Sequence, residues 1–312
     1  MQDSSRHQRP VRARPARSGR GWPARARRAP LGNRRGGVLV EFAFVSLAFY
    51  FLFAGTLELG RLLYASQILQ DAARVGAREL AVTPLPATAD FASALATPAV
   101  RDSIYDPACL ALDVTGLDGA AYRDFIDTLP LVNRLLAPLM VRERVALGGG
   151  SELDLLRYPG ALFPDPAAVS APPRATGWIV RLPRVVSRDA EGAESIEWVD
   201  VVEEVGAGSF SLSAGGPDRG LVALRLHYPF QAATLAASTP GGTGLGDALV
   251  ADDSAVTVVG GGAAPIDVGG ATSGPHAGRY GLGALQALGG QSIRPFRRFL
   301  SAQSVFRREV FL

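Results

Sequence analysis

The chain reads RRGGVLVEFAFVSLAFYFLFAGTL over residues 34–57. Glu41 is the only charged residue between Gly37 and Leu57. At a rise of about 1.5 Å per residue, a helix of this length spans about 30 Å, which matches the hydrocarbon core of a bilayer. The stretch therefore predicts a membrane-spanning helix over about residues 38–57, and the carboxylate inside it needs a partner.

The helical pattern continues beyond the apolar run. Small and apolar residues recur at spacings of three, four and seven, at Leu62, Ala65, Leu69, Ala72, Gly76 and Leu80. Pro84 and Pro86 follow, so the helix is predicted to end at about Val82. A helix over residues 37–82 would be about 69 Å long, apolar on all sides in its first half and amphipathic in its second. The small residues would let another helix approach closely, or the amphipathic half would lie on the sheet of its own domain.

The N-terminal 35 residues carry 11 of the 32 basic residues, all of them arginine, and a single acid, Asp3. A segment so rich in Arg, Pro, Gly and Ala buries too little apolar surface to fold, so residues 1–36 are predicted to be a disordered cytoplasmic leader. The rest of the chain has 21 arginines and 28 acidic residues. That balance gives no reason to expect a nucleic-acid partner.

Residues suited to catalysis or metal binding are few. Cys109 is the only cysteine, and His7, His227 and His276 are far apart in sequence. His227 is predicted to be a surface or interface residue on a strand, and the pair Glu203–Glu204 is predicted to be solvated. We therefore predict no enzymatic activity, no metal, no cofactor and no small-molecule substrate.

Two parts of the N-terminal region resemble known sequences. Arg34-Arg35-Gly36-Gly37-Val38-Leu39-Val40-Glu41 is similar to the start of type IV pilins and pseudopilins, in which a prepilin peptidase cuts after a Gly that ends a basic leader. The segments Glu58–Tyr64 and Gln70–Arg78 resemble TadE-like pilus-assembly pseudopilins. Those typically read Glu-hydrophobic-Gly-Arg, followed by Gln/Asp/Asn-Ala-Ala-Arg-x-Gly-Ala-Arg.

The resemblance implies a role for individual residues of the first segment. A cut between Gly36 and Gly37 makes Glu41 the fifth residue of the mature chain, as in the family, whereas a cut after Gly37 would make it the fourth. Arg34 and Arg35 would flank the cut on the cytoplasmic side. In the family the carboxylate pairs with the terminal amine of a neighbouring subunit, and Glu41 lies about one helical turn from Gly37. The implied partners are a prepilin peptidase, other pilin or pseudopilin subunits and the membrane.

Residues 90–312 are predicted to form an extracytoplasmic domain. A helix is expected over Tyr122–Met140, with interruptions at Pro130 and Pro138. Strands are expected at Thr176–Leu182 with Val185–Val186, Ser195–Val202, Leu221–Tyr228 ending at Pro229, and Ser254–Val259.

The remaining stretches of this domain are less regular. Residues 294–312 fit either a final strand or a helix that places Phe299, Phe306 and Val310 on one face. Residues 239–290 are rich in Gly and are predicted to be a flexible loop. Its stretch 242–246 lacks the Lys-Ser/Thr ending of a phosphate-binding loop.

Together these patterns predict an α+β fold, in which a long N-terminal transmembrane and amphipathic helix packs on the antiparallel β-sheet of the external domain. The resemblance implies a TadE-like pseudopilin, a minor subunit or assembly factor of a pilus or secretion machine. Such a chain would cross the cytoplasmic membrane once, with its N-terminus inside and its C-terminal domain outside or at the pilus or cell surface. The alternative is a single-pass, membrane-anchored, non-enzymatic binding domain.

Overall fold

The structure of the protein is a computed structural model. It describes residues 35–147, 151–165, 173–188, 194–206, 208–213, 215–238, 257–259, 264–266, 286–288 and 291–309. The chain divides into two compact units, residues 1–49 and residues 50–312. The leader over residues 1–34, most of the Gly-rich segment 239–290, residues 254–256 and Val310 lie outside the described residues.

Helix α1 runs over Arg35–Val82 and ends just before the first proline, as the sequence predicts. Residues 37–53 are all exposed. An 18-residue window of this helix has a mean hydropathy of 2.1, so the helix is long and apolar enough to cross a membrane. It is the one helix among the described residues that meets this criterion.

The second half of α1 is amphipathic, and its small-residue side faces the core of its own unit. The predicted stripe is buried at Ala65, Leu69, Ala72, Gly76 and Leu80, and Leu62 is half-buried. The polar residues between them are exposed: Arg61, Gln67, Gln70, Asp71, Arg74 and Arg78. The small side chains of this half therefore serve packing within the domain, the second of the two alternatives given by the pattern.

Four short helices follow α1. They are α2 over Phe91–Ala96, α3 over Pro98–Arg101, α4 over Gly119–Asp127 and α5 over Leu131–Leu136, with single 3-10 turns at Pro107–Leu110 and Ala137–Leu139. The predicted interruptions at Pro130 and Pro138 are confirmed, because Pro130 caps the start of α5 and Pro138 lies in the second 3-10 turn.

Eleven strands form three sheets in the described part of the chain. The strands are β1 Ala111–Asp113, β2 Val141–Leu147, β3 Ser151–Arg157, β4 Ala161–Pro164, β5 Trp178–Arg188, β6 Glu194–Asp200, β7 Val202–Glu204, β8 Leu221–Ser238, β9 Thr257–Val258, β10 Gln286–Leu288 and β11 Gln291–Arg307. The sheet orders are β1-β3-β2, β10-β11-β8-β7 and β4-β5-β6-β9. Every pairing is antiparallel except the two-residue contact of β6 with β9. The α+β class and the helix on antiparallel sheets are confirmed.

Strand β8 is longer than the sequence predicts. It continues through Pro229 to Ser238, and Pro229 stands opposite Phe299 of β11. The backbone N–H of His227 donates to Val201 O on the β7 side of the strand. Residue 229 faces the same side, two residues further on, where no described strand pairs with β8. A proline is tolerated there because its missing N–H has no ladder partner to lose.

Residues 291–307 form a strand rather than a helix. Strand β11 pairs with β8 along most of its length, with one irregularity between Pro295 and Arg297. Of the two alternatives for this segment, the structure therefore shows the strand.

Buried polar contacts fasten the end of β11 to the end of α1. Arg308 is 6% exposed, and its guanidinium donates to the carbonyl oxygens of Leu85, Pro86 and Phe210 at 2.9, 3.1 and 3.3 Å. Burial lowers the pKa of this guanidinium. The backbone N–H of Glu309 donates to Ala81 O in the last turn of α1.

We expect Gly76→Ala to destabilise the domain by about 1 kcal/mol. A Cβ at this position would lie 2.8 Å from Val132 Cγ2 and 3.1 Å from Leu224 Cδ2, and a buried valine is stiff about χ1. Overpacking typically costs about 1–3 kcal/mol, which outweighs the gain of roughly 0.5–1 kcal/mol in helix propensity.

Gly60→Ala is the matched control on the same helix, because an added Cβ at Gly60 has no neighbour within 4 Å. It should stabilise the protein by about 0.5–1 kcal/mol. Thermal unfolding in detergent, followed by circular dichroism, measures both. Equal stabilisation by the two substitutions would contradict the packing described for Gly76.

Candidate functional site

The predicted processing segment lies at the start of α1. Arg35, Gly36 and Gly37 are in its first turn, and Arg34 lies outside the described residues. Gly37 and Glu41 are exposed. An added Cβ at Gly37 would meet no atom within 4 Å, so no described contact of the fold requires glycine there.

Glu41 is surrounded by exposed apolar side chains. Val38, Val40 and Phe42 are 65%, 56% and 69% exposed. The described residues provide no ion-pair or hydrogen-bond partner for the Glu41 carboxylate. A partner for this charge within a bilayer must therefore come from elsewhere.

The Glu58–Arg61 part of the TadE-like motif forms a local ion pair. Glu58 is 4% exposed, and its Oε2 lies 3.2 Å from Arg61 Nη1, one turn along the helix. The Arg61 guanidinium also lies 5.7 Å from the centroid of the Phe230 ring on β8. These contacts join α1 to the sheet at the point where the exposed apolar segment gives way to the packed one.

The second part of the motif divides between two faces of α1. Its small residues, Ala72, Ala73, Gly76 and Ala77, are buried in the core. Its polar residues, Gln70, Asp71, Arg74 and Arg78, are exposed. The fold of this domain accounts for the small residues and leaves the polar residues accessible to solvent or to a partner.

A cluster of polar side chains lies on one face of the sheet that contains β7, β8 and β11. His227 is 1% exposed, and its Nε2 lies 2.7 Å from Glu203 Oε2 on β7. Its Nδ1 lies 2.8 Å from Ser301 Oγ on β11. The ring centroid of Phe299 is 4.7 Å from that of His227.

Strand geometry explains the close contact of His227 with Ser301. The N–H of His227 points to β7, so His227 and Ser301 form a non-hydrogen-bonded pair between β8 and β11, in which side chains approach most closely. An ionised Glu203 only accepts hydrogen bonds, so Nε2 carries the proton and Nδ1 accepts from the Ser301 hydroxyl.

Arg184 on β5 lies beside these residues. Its Nη1 is 3.7 Å from Glu203 Oε2, and its Nε donates to Glu197 Oε1 at 2.6 Å. The hydrogen bond from His227 is the largest cause of a lowered pKa for Glu203, and the nearby guanidinium charges of Arg184 and Arg225 add to it against the opposing effect of burial.

The chain of hydroxyl, imidazole and carboxylate has the connectivity of an activated serine. Ser301 lies within a strand, where backbone N–H groups lie in the plane of the sheet and side chains stand perpendicular to it. The N–H groups of β8 and β11 therefore do not converge above Ser301 to stabilise an oxyanion. The arrangement satisfies both nitrogens of a buried histidine and fixes Glu203 as an anion.

Two interpretations of the sequence were wrong at this cluster. His227, predicted to be a surface or interface residue, is buried inside the domain, and both Glu203 and Glu204 are half-buried and hydrogen-bonded rather than solvated. The spacing of Arg225 and His227, two residues apart on β8, signals a polar face of the strand. The strands that cover that face are distant in sequence, so the burial of His227 could not be read from β8 alone.

The described residues contain no group of three His, Cys, Asp or Glu side chains placed to hold a metal ion. Cys109 is fully buried, and burial raises the pKa of its thiol well above the usual range. Neither observation adds a candidate site.

Comparison with known proteins gives one family match, which lies within the N-terminal helix. Residues 36–78 match the family model of the TadE-like protein. This match confirms the resemblance that the motifs of α1 show, and it indicates a role connected with pilus assembly. No curated protein and no solved structure matches the chain.

We expect Glu203→Gln to lower the Tm at neutral pH. The Tm of this variant should also change less than that of the wild type when the pH is lowered. A carboxylate whose pKa is lowered in the folded state stabilises the fold above its unfolded pKa of about 4.3, and this contribution is lost as the pH falls through the folded value. The difference in Tm between wild type and variant should therefore narrow from pH 6 to pH 3. Glu152→Gln, at an exposed position of β3, is the control and should show little difference at either pH. A constant difference between Glu203→Gln and wild type would contradict the ionised state assigned to Glu203.

Proposed function

We propose that this chain is a TadE-like pseudopilin, a minor subunit or assembly factor of a pilus or secretion machine. The observation that carries the proposal is the family match over residues 36–78. It begins at Gly36, the residue at which the basic leader ends, and it covers both the exposed apolar segment and the packed amphipathic segment of α1.

The exposed apolar segment supports a membrane location for the proposed subunit. Large apolar side chains are exposed from Val38 to Phe53, and burying them in a bilayer removes their contact with water. The arginines of the leader favour the cytoplasmic side. The proposed topology is a single crossing of the cytoplasmic membrane, with the domain that follows α1 outside.

Processing by a prepilin peptidase is the next element of the proposal. The cut falls between Gly36 and Gly37, because a small residue before the scissile bond allows close approach to the backbone. The new amine of Gly37 is then a cation one turn from Glu41 of its own helix. In an assembly, Glu41 of one subunit pairs with the amine of a neighbour, which relieves a cost of at least ~2.5–3.5 kcal/mol for an unpaired carboxylate in hydrocarbon.

Co-expression with a prepilin peptidase and intact-mass analysis test the cut. The expected mature chain starts at Gly37, and an inactive peptidase variant should leave the leader in place. Gly36→Leu should block processing, whereas Gly37→Ala, which keeps a small residue after the bond, should not. An intact leader in the presence of active peptidase would favour the alternative, a plain membrane-anchored binding domain. A start at Val38 would shift the register of Glu41 to the fourth position.

Glu41→Ala tests the pairing. Removal of a charge from the apolar run should leave membrane insertion intact or improve it, while co-purification with other pilin subunits should be lost. Ser46→Ala, on the same exposed apolar helix, is the control and should co-purify normally. Since the pairing needs the amine, Glu41→Ala should add no further defect to the uncleaved Gly36→Leu variant. If Glu41→Ala co-purified with the other subunits as the wild type does, Glu41 would not be the residue that pairs with the neighbouring subunit.

A further inference from the structure

A cavity of about 530 Å³ opens beside the His227 cluster. Its walls come from three strands of the second unit, with Arg184 on β5, Arg225 and His227 on β8, and Phe299, Ser301 and Gln303 on β11. Its volume lies within the range of small-molecule sites, about 300–1,000 Å³. The cavity lies outside residues 36–78, so the family match says nothing about its purpose.

Arg225 and Arg184 differ in how their charges are balanced. Arg184 is paired with Glu197 and Glu203. Arg225 stands opposite Gln303 in the ladder, and its Nη2 donates to Gln303 Oε1 at 3.0 Å. Among the described residues, no carboxylate lies within 4 Å of the Arg225 guanidinium. Glu203 lies opposite Arg225 on β7 and interacts with it electrostatically, but within the described part of the chain the guanidinium of Arg225 hydrogen-bonds only to a neutral amide.

The amide of Gln303 extends the donor surface of Arg225. Because its oxygen accepts from Arg225, its NH₂ group remains available as a donor. The guanidinium fork and an adjacent amide donor suit the two oxygens of a carboxylate. Phe299 and Val185 add apolar surface to the same cavity.

The surrounding charges disfavour a ligand with more than one negative charge. Glu203 lies opposite Arg225 on β7, and Glu197 is held by Arg184. Both carboxylates would repel a dianion such as inorganic phosphate more strongly than a monoanion.

We propose that this cavity binds an organic carboxylate, with its carboxylate on Arg225 and Gln303 and its apolar body against Phe299 and Val185. This binding is separate from the assembly role of α1, and neither proposal depends on the other.

Calorimetric titration of the full chain in detergent tests the proposal. The probes are benzoate, hexanoate, the neutral isostere benzamide and inorganic phosphate. At least one of the two carboxylates should bind saturably, and benzamide and phosphate should bind at least about tenfold more weakly, because a hydrogen bond to a charged group is worth roughly tenfold or more in affinity. The proposal would be overturned if benzamide bound as tightly as the carboxylates, if phosphate bound more tightly than they do, or if neither carboxylate bound saturably.

Substitutions locate the site. Arg225→Gln should weaken carboxylate binding at least about tenfold. Gln303→Glu changes no volume and supplies Arg225 with an internal carboxylate, so it should abolish binding while keeping the fold. Arg298→Gln, at an exposed position on the opposite face of β11, is the matched control and should bind as wild type does. Circular dichroism confirms that each variant is folded. If the folded Gln303→Glu variant bound the carboxylate with wild-type affinity, Arg225 and Gln303 would not be the binding site.

Discussion

The close contact of α1 with the domain core at Gly76 is the constraint on which the rest of the structure depends. There the helix backbone approaches Val132 of α5 and Leu224 of β8 so closely that a methyl group would not fit. The alanines at 65, 72, 73 and 77 extend the same close approach along the helix. Small residues on a helix would equally serve contact between subunits. Here the domain uses them itself, which leaves the polar residues of the same motif as the accessible side.

Some features of the fold could be predicted from the sequence because their causes are local. The length of α1 follows from hydropathy, from the small-residue period and from Pro84, and the breaks near Pro130 and Pro138 follow from the missing N–H of proline. The extension of β8 beyond Pro229 could not be predicted from the sequence, because it depends on which side of the strand is paired. The final segment likewise became a strand through its pairing with β8, whereas its own apolar spacing fits a helix equally well.

The two candidate sites also differ in whether their residues are close together or far apart in the sequence. Gly36, Gly37 and Glu41 could be proposed as site residues from the sequence because the basic stretch, the glycine pair and the carboxylate one helical turn further on lie close together in the chain. The His227 cluster joins residues that are 24 and 74 positions apart. Its members carry no motif, and only the register of β7, β8 and β11 brings them together. The burial of a histidine and the ionisation of its carboxylate partner are consequences of that register.

The residues that match the family model are separate from the residues that line the cavity. The family match ends at residue 78, within α1, and the residues of the Gln70–Arg78 motif inside it either pack in the domain core or lie on the exposed side of the helix. The cavity beside Arg225 is built from strands that follow residue 178. Because the two regions share no residues, the family match carries no information about a ligand of the cavity. The buried contacts of Arg308 and Glu309 with the residues at and after the end of α1 nevertheless fix the C-terminal strand to the helix. The packed half of α1 and the strands that line the cavity therefore belong to one compact unit, residues 50–312.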